Sequence, residues 1–109
     1  MKLLTKPQRE KLIKNHTEGE KNRKPVVKLF GGSSCTWLLS ELDPETNICF
    51  GLCDLGMGFP ELGDVSLDEL IAIKFPPFGL PIERDKHFEA EKTILEYANE
   101  ANKLGYIKA

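Results

Sequence analysis

At 109 residues, 40% hydrophobic and 29% charged, the chain has the size and composition of an ordinary globular domain, which excludes the fibrous and disordered classes. No apolar run approaches the roughly 20 residues of a membrane helix, and the opening residues lack the apolar core and cleavage site of a signal peptide, so a cytoplasmic protein with no membrane partner is expected. The net charge of −2 hides an asymmetry: residues 1–28 hold nine Lys/Arg and three Glu, the rest six basic and 14 acidic residues. That distribution suits either a basic arm for nucleic acid or an acidic surface for a nucleic-acid-binding protein.

Thr5 reads as the N-cap of a first helix over about 5–15, with Pro7 in its first turn and Leu4, Leu12 and Ile13 as apolar contacts. Residues 18–25 show no helix or strand period and read as a flexible loop. Residues 1–25 are thus a basic helix with its loop. Strands are expected at 26–30, 35–42 and 47–54, the last two joined through Asp43-Pro44-Glu45-Thr46. A turn centred near Glu45 pairs Leu38 with Leu52, Ser40 with Phe50 and Leu42 with Ile48 on one face, and Trp37 with Cys53 and Leu39 with Gly51 on the other. Both faces are apolar, so either helices cover both or one meets a partner, a second copy included.

Residues 55–88 form a loop-rich segment. Leu55-Gly56-Met57-Gly58-Phe59-Pro60 is a glycine-rich turn without the GK[ST] ending of a phosphate loop. Ser66-Leu67-Asp68-Glu69 is a capping-box pattern that opens a short helix over 67–73, expected to bury Leu67, Leu70 and Ile71. Three prolines between Phe75 and Pro81 exclude helix or central strand, and Phe75 and Phe78 read as pins to the core. A C-terminal helix is expected over 89–104, with Ile94, Tyr97, Ala98, Ala101 and Leu104 on its apolar stripe and Gly105 as its stop. The expected architecture is a single α+β domain: an antiparallel three-strand meander (26–54) with N-terminal, short central and C-terminal helices, the last within 89–109.

The polar density of the loops makes Glu61, Phe78, Glu83, Arg84, Asp85 and His87 the candidate binding residues. If residues 82–87 run extended, Glu83, Asp85 and His87 share one side, and with Glu61 they would resemble the ligand set of a metal-dependent hydrolase. The competing reading makes Arg84 an ion-pairing tie between loop and sheet; no cofactor is expected and no catalytic residue is assigned. Arg23, Lys24 and Lys28 are the candidates for nucleic acid. His16 has no evident partner. Cys49 and Cys53, if on one strand, lie roughly 13 Å apart, too far to bridge, and with Cys35 they read as buried small hydrophobes. Their spacing does not suit a zinc knuckle.

Met1-Lys2-Leu3-Leu4-Thr5, Val27-Lys28-Leu29-Phe30, Thr36-Trp37-Leu38, Phe50-Gly51-Leu52, Pro60-Glu61-Leu62-Gly63, Ser66-Leu67-Asp68-Glu69-Leu70 and Gly79-Leu80-Pro81-Ile82-Glu83-Arg84-Asp85-Lys86-His87-Phe88 together resemble a family of small bacterial proteins of unknown function carried by plasmids, conjugative elements and phages. The resemblance covers nearly all of residues 1–88, and the helix after it looks like an extension. It supplies no activity and no site. It implies a mobile-element setting, in which small stand-alone domains often bind or inhibit host defence proteins or help handle DNA. The resulting expectation is a non-enzymatic binding protein, monomeric or homodimeric, whose acidic residues could mimic DNA if they cluster on one face. Nucleic-acid binding and a metal-dependent hydrolase are the alternatives.

Overall fold

A computed structural model describes residues 2–109, so Met1, the first residue of the opening motif, lies outside the described residues. The described chain runs α1 (Lys6–Glu18), β1 (Val27–Gly31), β2 (Cys35–Asp43), β3 (Ile48–Asp54), β4 (Glu61–Ser66), α2 (Leu67–Ala72), β5 (Glu83–Arg84) and α3 (Ile94–Leu104). All strands pair antiparallel in one sheet of order β4-β3-β2-β1-β5. The α+β class and its three helices are those expected, and the sheet gains two strands beyond the meander. No described helix is long and apolar enough to cross a membrane.

Helix α1 starts where Thr5 predicts. Its side chain accepts from the Gln8 amide at 3.2 Å while Gln8 Oε1 accepts from the Thr5 amide at 2.9 Å, a full capping box. Its end is Gly19, in the left-handed conformation at φ 76°. At α2 the Ser66 hydroxyl accepts from the Glu69 amide, and Leu67 and Leu70 are buried, but Ile71 is 55% exposed. Helix α3 begins later than residue 89. Thr93 and Glu96 form its capping box, so residues 89–93 are an approach segment, and Gly105 ends it as expected.

The β2–β3 hairpin keeps the expected pairs Leu38 with Leu52, Trp37 with Cys53 and Leu39 with Gly51, then departs. A bulge at Ser40 puts Glu41 opposite Phe50, Leu42 opposite Cys49 and Asp43 opposite Ile48, in place of the expected Ser40–Phe50 and Leu42–Ile48 pairs. The bulge is tied down locally: Ser40 Oγ donates to the Phe50 carbonyl at 3.4 Å, and Asn15 Nδ2 donates to the Ser40 carbonyl at 3.0 Å. Gly51 belongs to the same construction, because a Cβ there would strike the Leu38 carbonyl oxygen. Strand β4 was expected as loop, since Pro60, Gly63 and Asp64 disfavour a strand. It forms because β3 offers it a partner, from Ile48 opposite Ser66 to Cys53 opposite Glu61.

The sheet separates two cores. On one face Leu12 of α1 and Leu67 and Leu70 of α2 pack with Leu29, Trp37, Leu39, Leu42 and Ile82; on the other Ile94, Tyr97, Ala98 and Ala101 of α3 pack with Leu38 and Leu52. Helices therefore cover both apolar faces of the hairpin.

Candidate functional site

The loop singled out by its prolines is built in three parts. Phe75 closes it: its amide donates to the Leu80 carbonyl at 2.8 Å, the Leu80 amide donates back at 3.1 Å, and its ring lies against Gly31 and Gly32. Phe78, at the tip, is 82% exposed and pins nothing, whereas Phe75 does act as a pin. Beyond Pro81, Ile82 returns to the core, and Glu83 and Arg84 form β5 by pairing with Phe30 and Leu29.

From there the candidate residues diverge. Glu83 lines an apolar groove of about 590 Å³ with Leu3, Leu4, Leu67, Leu70, Ile71, Pro81 and Ile82, flanked by Lys2 and Arg9. Arg84 Nη1 donates to the Lys2 carbonyl at 2.7 Å, fastening the N-terminal segment to β5; the guanidinium binds a backbone oxygen where an ion pair holding loop to sheet was expected. Asp85 is structural in geometry. Its carboxylate accepts from the His87 amide at 2.9 Å and sits 3.7 Å from Lys28 Nζ, while its own amide donates to the Lys28 carbonyl at 2.9 Å. Asp85 and His87 line a second, polar groove of about 640 Å³ with Glu91, Lys92, Tyr97, Glu100 and Lys108. There Lys92 bonds Glu100 at 2.9 Å, a contact that raises the ammonium's pKa and lowers the carboxyl's.

Glu61 joins none of these. It lies on β4, at the far edge of the sheet from β5, about 19 Å away across four strand spacings. Among the described residues no three His, Cys, Asp or Glu side chains converge as a metal site requires. Glu61, Glu83, Asp85 and His87 therefore do not form one catalytic constellation.

The basic residues are partly committed within the chain. Arg23 Nη2 bonds Glu18 at 2.6 Å, and its carbonyl accepts from the Ile94 amide at 2.7 Å; Asn22 Oδ1 accepts from the Leu95 amide at 3.3 Å. The loop read as flexible is thus docked on the first turn of α3. Lys28 binds Asp85 and the backbone oxygen of Ala109 at 2.8 Å, leaving Lys24 exposed. The acidic residues occupy both faces, with Asp68 and Glu69 on α2 and Glu96 and Glu100 on α3. The three thiols are free; burial pushes Cys49 up to about 12 and Cys53 to about 11.

Sequence reasoning passed over a third cluster. His16 lies 3.5 Å from Glu41 and 3.9 Å from Asp43, and Lys21 Nζ lies 3.2 Å from Glu41. Glu41 is 2% exposed. The signal was a glutamate inside the apolar run Trp37-Leu38-Leu39-Ser40-Glu41-Leu42, where a strand facing two cores has no use for a charge. Asp43 is held below the usual carboxylate range, first by the Glu45 amide that donates to it.

No curated protein and no solved structure matches the chain. Residues 3–108 match the family described as Protein of unknown function (DUF2958), so the match runs through α3, and that helix is part of the common pattern where an extension was expected. The chain belongs to this family of proteins of unknown function.

Proposed function

We propose that the protein is a non-enzymatic binding protein of a mobile genetic element that engages a host or element-encoded protein through the apolar groove beside α2. The observation that carries this reading is the groove itself: an apolar lining from the N-terminal segment, α2 and residues 81–82, with Ile71 exposed on its wall. Phe78 and Leu80, both exposed, extend from the loop that supplies Pro81. Apolar surface of this kind, rimmed by Lys2, Arg9 and Glu83, marks protein association. The mobile-element setting rests on the resemblance described above. An acidic DNA-mimicking face is less well supported, because the acidic residues are spread over β2, β3, β4, β5, the loops and helices on both sides of the sheet. Binding to nucleic acid draws support from Lys24 but not from Arg23 or Lys28, whose charges have partners in the chain.

The test is affinity capture from host lysate with and without nuclease, comparing the parent chain with Ile71→Glu and Phe78→Ser variants of unchanged circular dichroism. A protein that survives nuclease and is lost with the variants supports the groove. Capture that the variants leave intact rejects it, and capture abolished by nuclease favours nucleic acid.

A further inference from the structure

A separate pocket of about 320 Å³ opens beside the β2 bulge, lined by His16, Lys21, Glu41, Asp43, Phe50 and Asp64 among others. The pairing of Glu41 with Phe50, and of Phe50 with Asp64, sets these three residues side by side on adjacent strands. Without the bulge Ser40 would face Phe50, and the carboxylate would point to the opposite side of the sheet. The irregularity in β2 therefore aims Glu41 into this pocket.

Glu41 is satisfied on one side alone. Its Oε1 meets Lys21 Nζ at 3.2 Å and His16 Nδ1 at 3.5 Å, whereas Oε2 is buried and has no hydrogen-bond partner among the described residues. Lys21 enters from the loop after α1, largely exposed, with its ammonium 4.8 Å from the centre of the Phe50 ring. A positive charge held between a buried carboxylate and an aromatic face, with Asp43 and Asp64 close by, is the chemistry of a cation-recognition site. Lys21 fills it imperfectly, since an ammonium on one oxygen leaves the other unmet. A guanidinium would complete the arrangement: its fork presents two parallel N–H groups, one for each carboxylate oxygen, and its plane stacks on an aromatic ring.

We propose that this pocket binds the guanidinium group of an arginine-bearing ligand, and that Lys21 is a tethered occupant which the ligand displaces. The inference is independent of the apolar groove, which is lined by other residues.

The probes are free L-arginine, the tripeptide Gly-Arg-Gly and its counterpart Gly-Lys-Gly, each titrated into the 15N-labelled chain and followed by amide chemical shifts. An arginine probe is expected to shift the amides of Glu41, Phe50 and Asp64. Lys21→Met should tighten that binding severalfold by removing the competing occupant, and Glu41→Gln should weaken it by about tenfold or more. Binding of the tripeptide without free arginine identifies a polypeptide source, and equal binding of both identifies recognition of the group alone. If Glu41→Gln does not fold, the Lys21→Met comparison still decides. No saturable shift in either the parent or Lys21→Met, or equal affinity for the lysine tripeptide, overturns the proposal.

Discussion

The ring of Phe75 occupies the space that a side chain on Gly31 would need: a Cβ built at residue 31 runs into Phe75 Cε2. The proline loop is thereby anchored to the end of β1 through the absence of a side chain, and the two positions form one contact. Phe75→Ala is expected to cost about 1–3 kcal/mol for a half-buried ring, and Gly31→Ala a comparable amount by displacing it. The double variant should cost less than the sum of the two, because the residues touch. Urea denaturation of the four proteins measures this; strict additivity would show that the ring is held elsewhere.

The docking of Asn22 and Arg23 on α3 predicts that a loop residue stabilises a helix more than 70 positions away. Asn22→Ala and Thr93→Ala each remove an acceptor for the helix's first amides and should cost about 1 kcal/mol. Glu96 adds a pH signature. Its carboxylate accepts from the Thr93 amide and hydroxyl, which lowers its pKa from the ordinary value. The stability this bond supplies is present above that ordinary value and is lost as pH falls through the lowered folded one. Thr93→Ala removes the hydroxyl's share of this stabilisation and keeps the larger share from the amide, so the gap between it and the parent should narrow only in part in acid, as denaturation at pH 7 and pH 3 will record.

Burial of the thiols sets an alkaline limit. The folded chain keeps Cys49 protonated to about 12 and Cys53 to about 11, whereas the unfolded chain releases both protons near 9.0. Protons bound by the folded state alone make stability fall as pH rises from 9, toward 11 for Cys53 and toward 12 for Cys49, by up to about 1.4 kcal/mol per pH unit for each thiol within its own window. Cys49→Ala should flatten that slope whatever its effect at neutral pH. At pH 7.5, iodoacetamide should label Cys49 and Cys53 only after denaturation.

Lys28 belongs to the fold before it belongs to any nucleic acid. With its side chain 19% exposed and shared between Asp85 and Ala109, Lys28→Ala should lower stability by about 1 kcal/mol. Any binding to a DNA duplex should depend on Lys24 more than on Lys28. Denaturation and a salt-dependent binding titration on the two single variants separate these effects.

Features governed by a few neighbouring residues were legible in the sequence. Thr5 and Ser66 as caps, Gly105 as a stop and the turn after Asp43 all follow from local chemistry. The bulge was not, because an alternating register through Ser40 satisfies local pattern equally well, and the shift depends on Asn15 reaching from another element to the Ser40 carbonyl. Strand β4 contradicts its own propensities and is imposed by β3. The polar run after Pro81 does not reveal where its side chains go: β5 sends Glu83 toward one groove and Asp85 and His87 toward another. His16 found its carboxylates only because α1 packs across the open end of β2, a contact no motif encodes.

The sheet's borders carry a last consequence. One border is β5, two residues long, and the other is β4, which exposes Glu61 and Asp64. Neither presents the long, flat, uncharged ladder that lets one molecule extend another's sheet. A border two residues long and a border carrying exposed carboxylates both disfavour extension of the sheet by a strand from a second molecule.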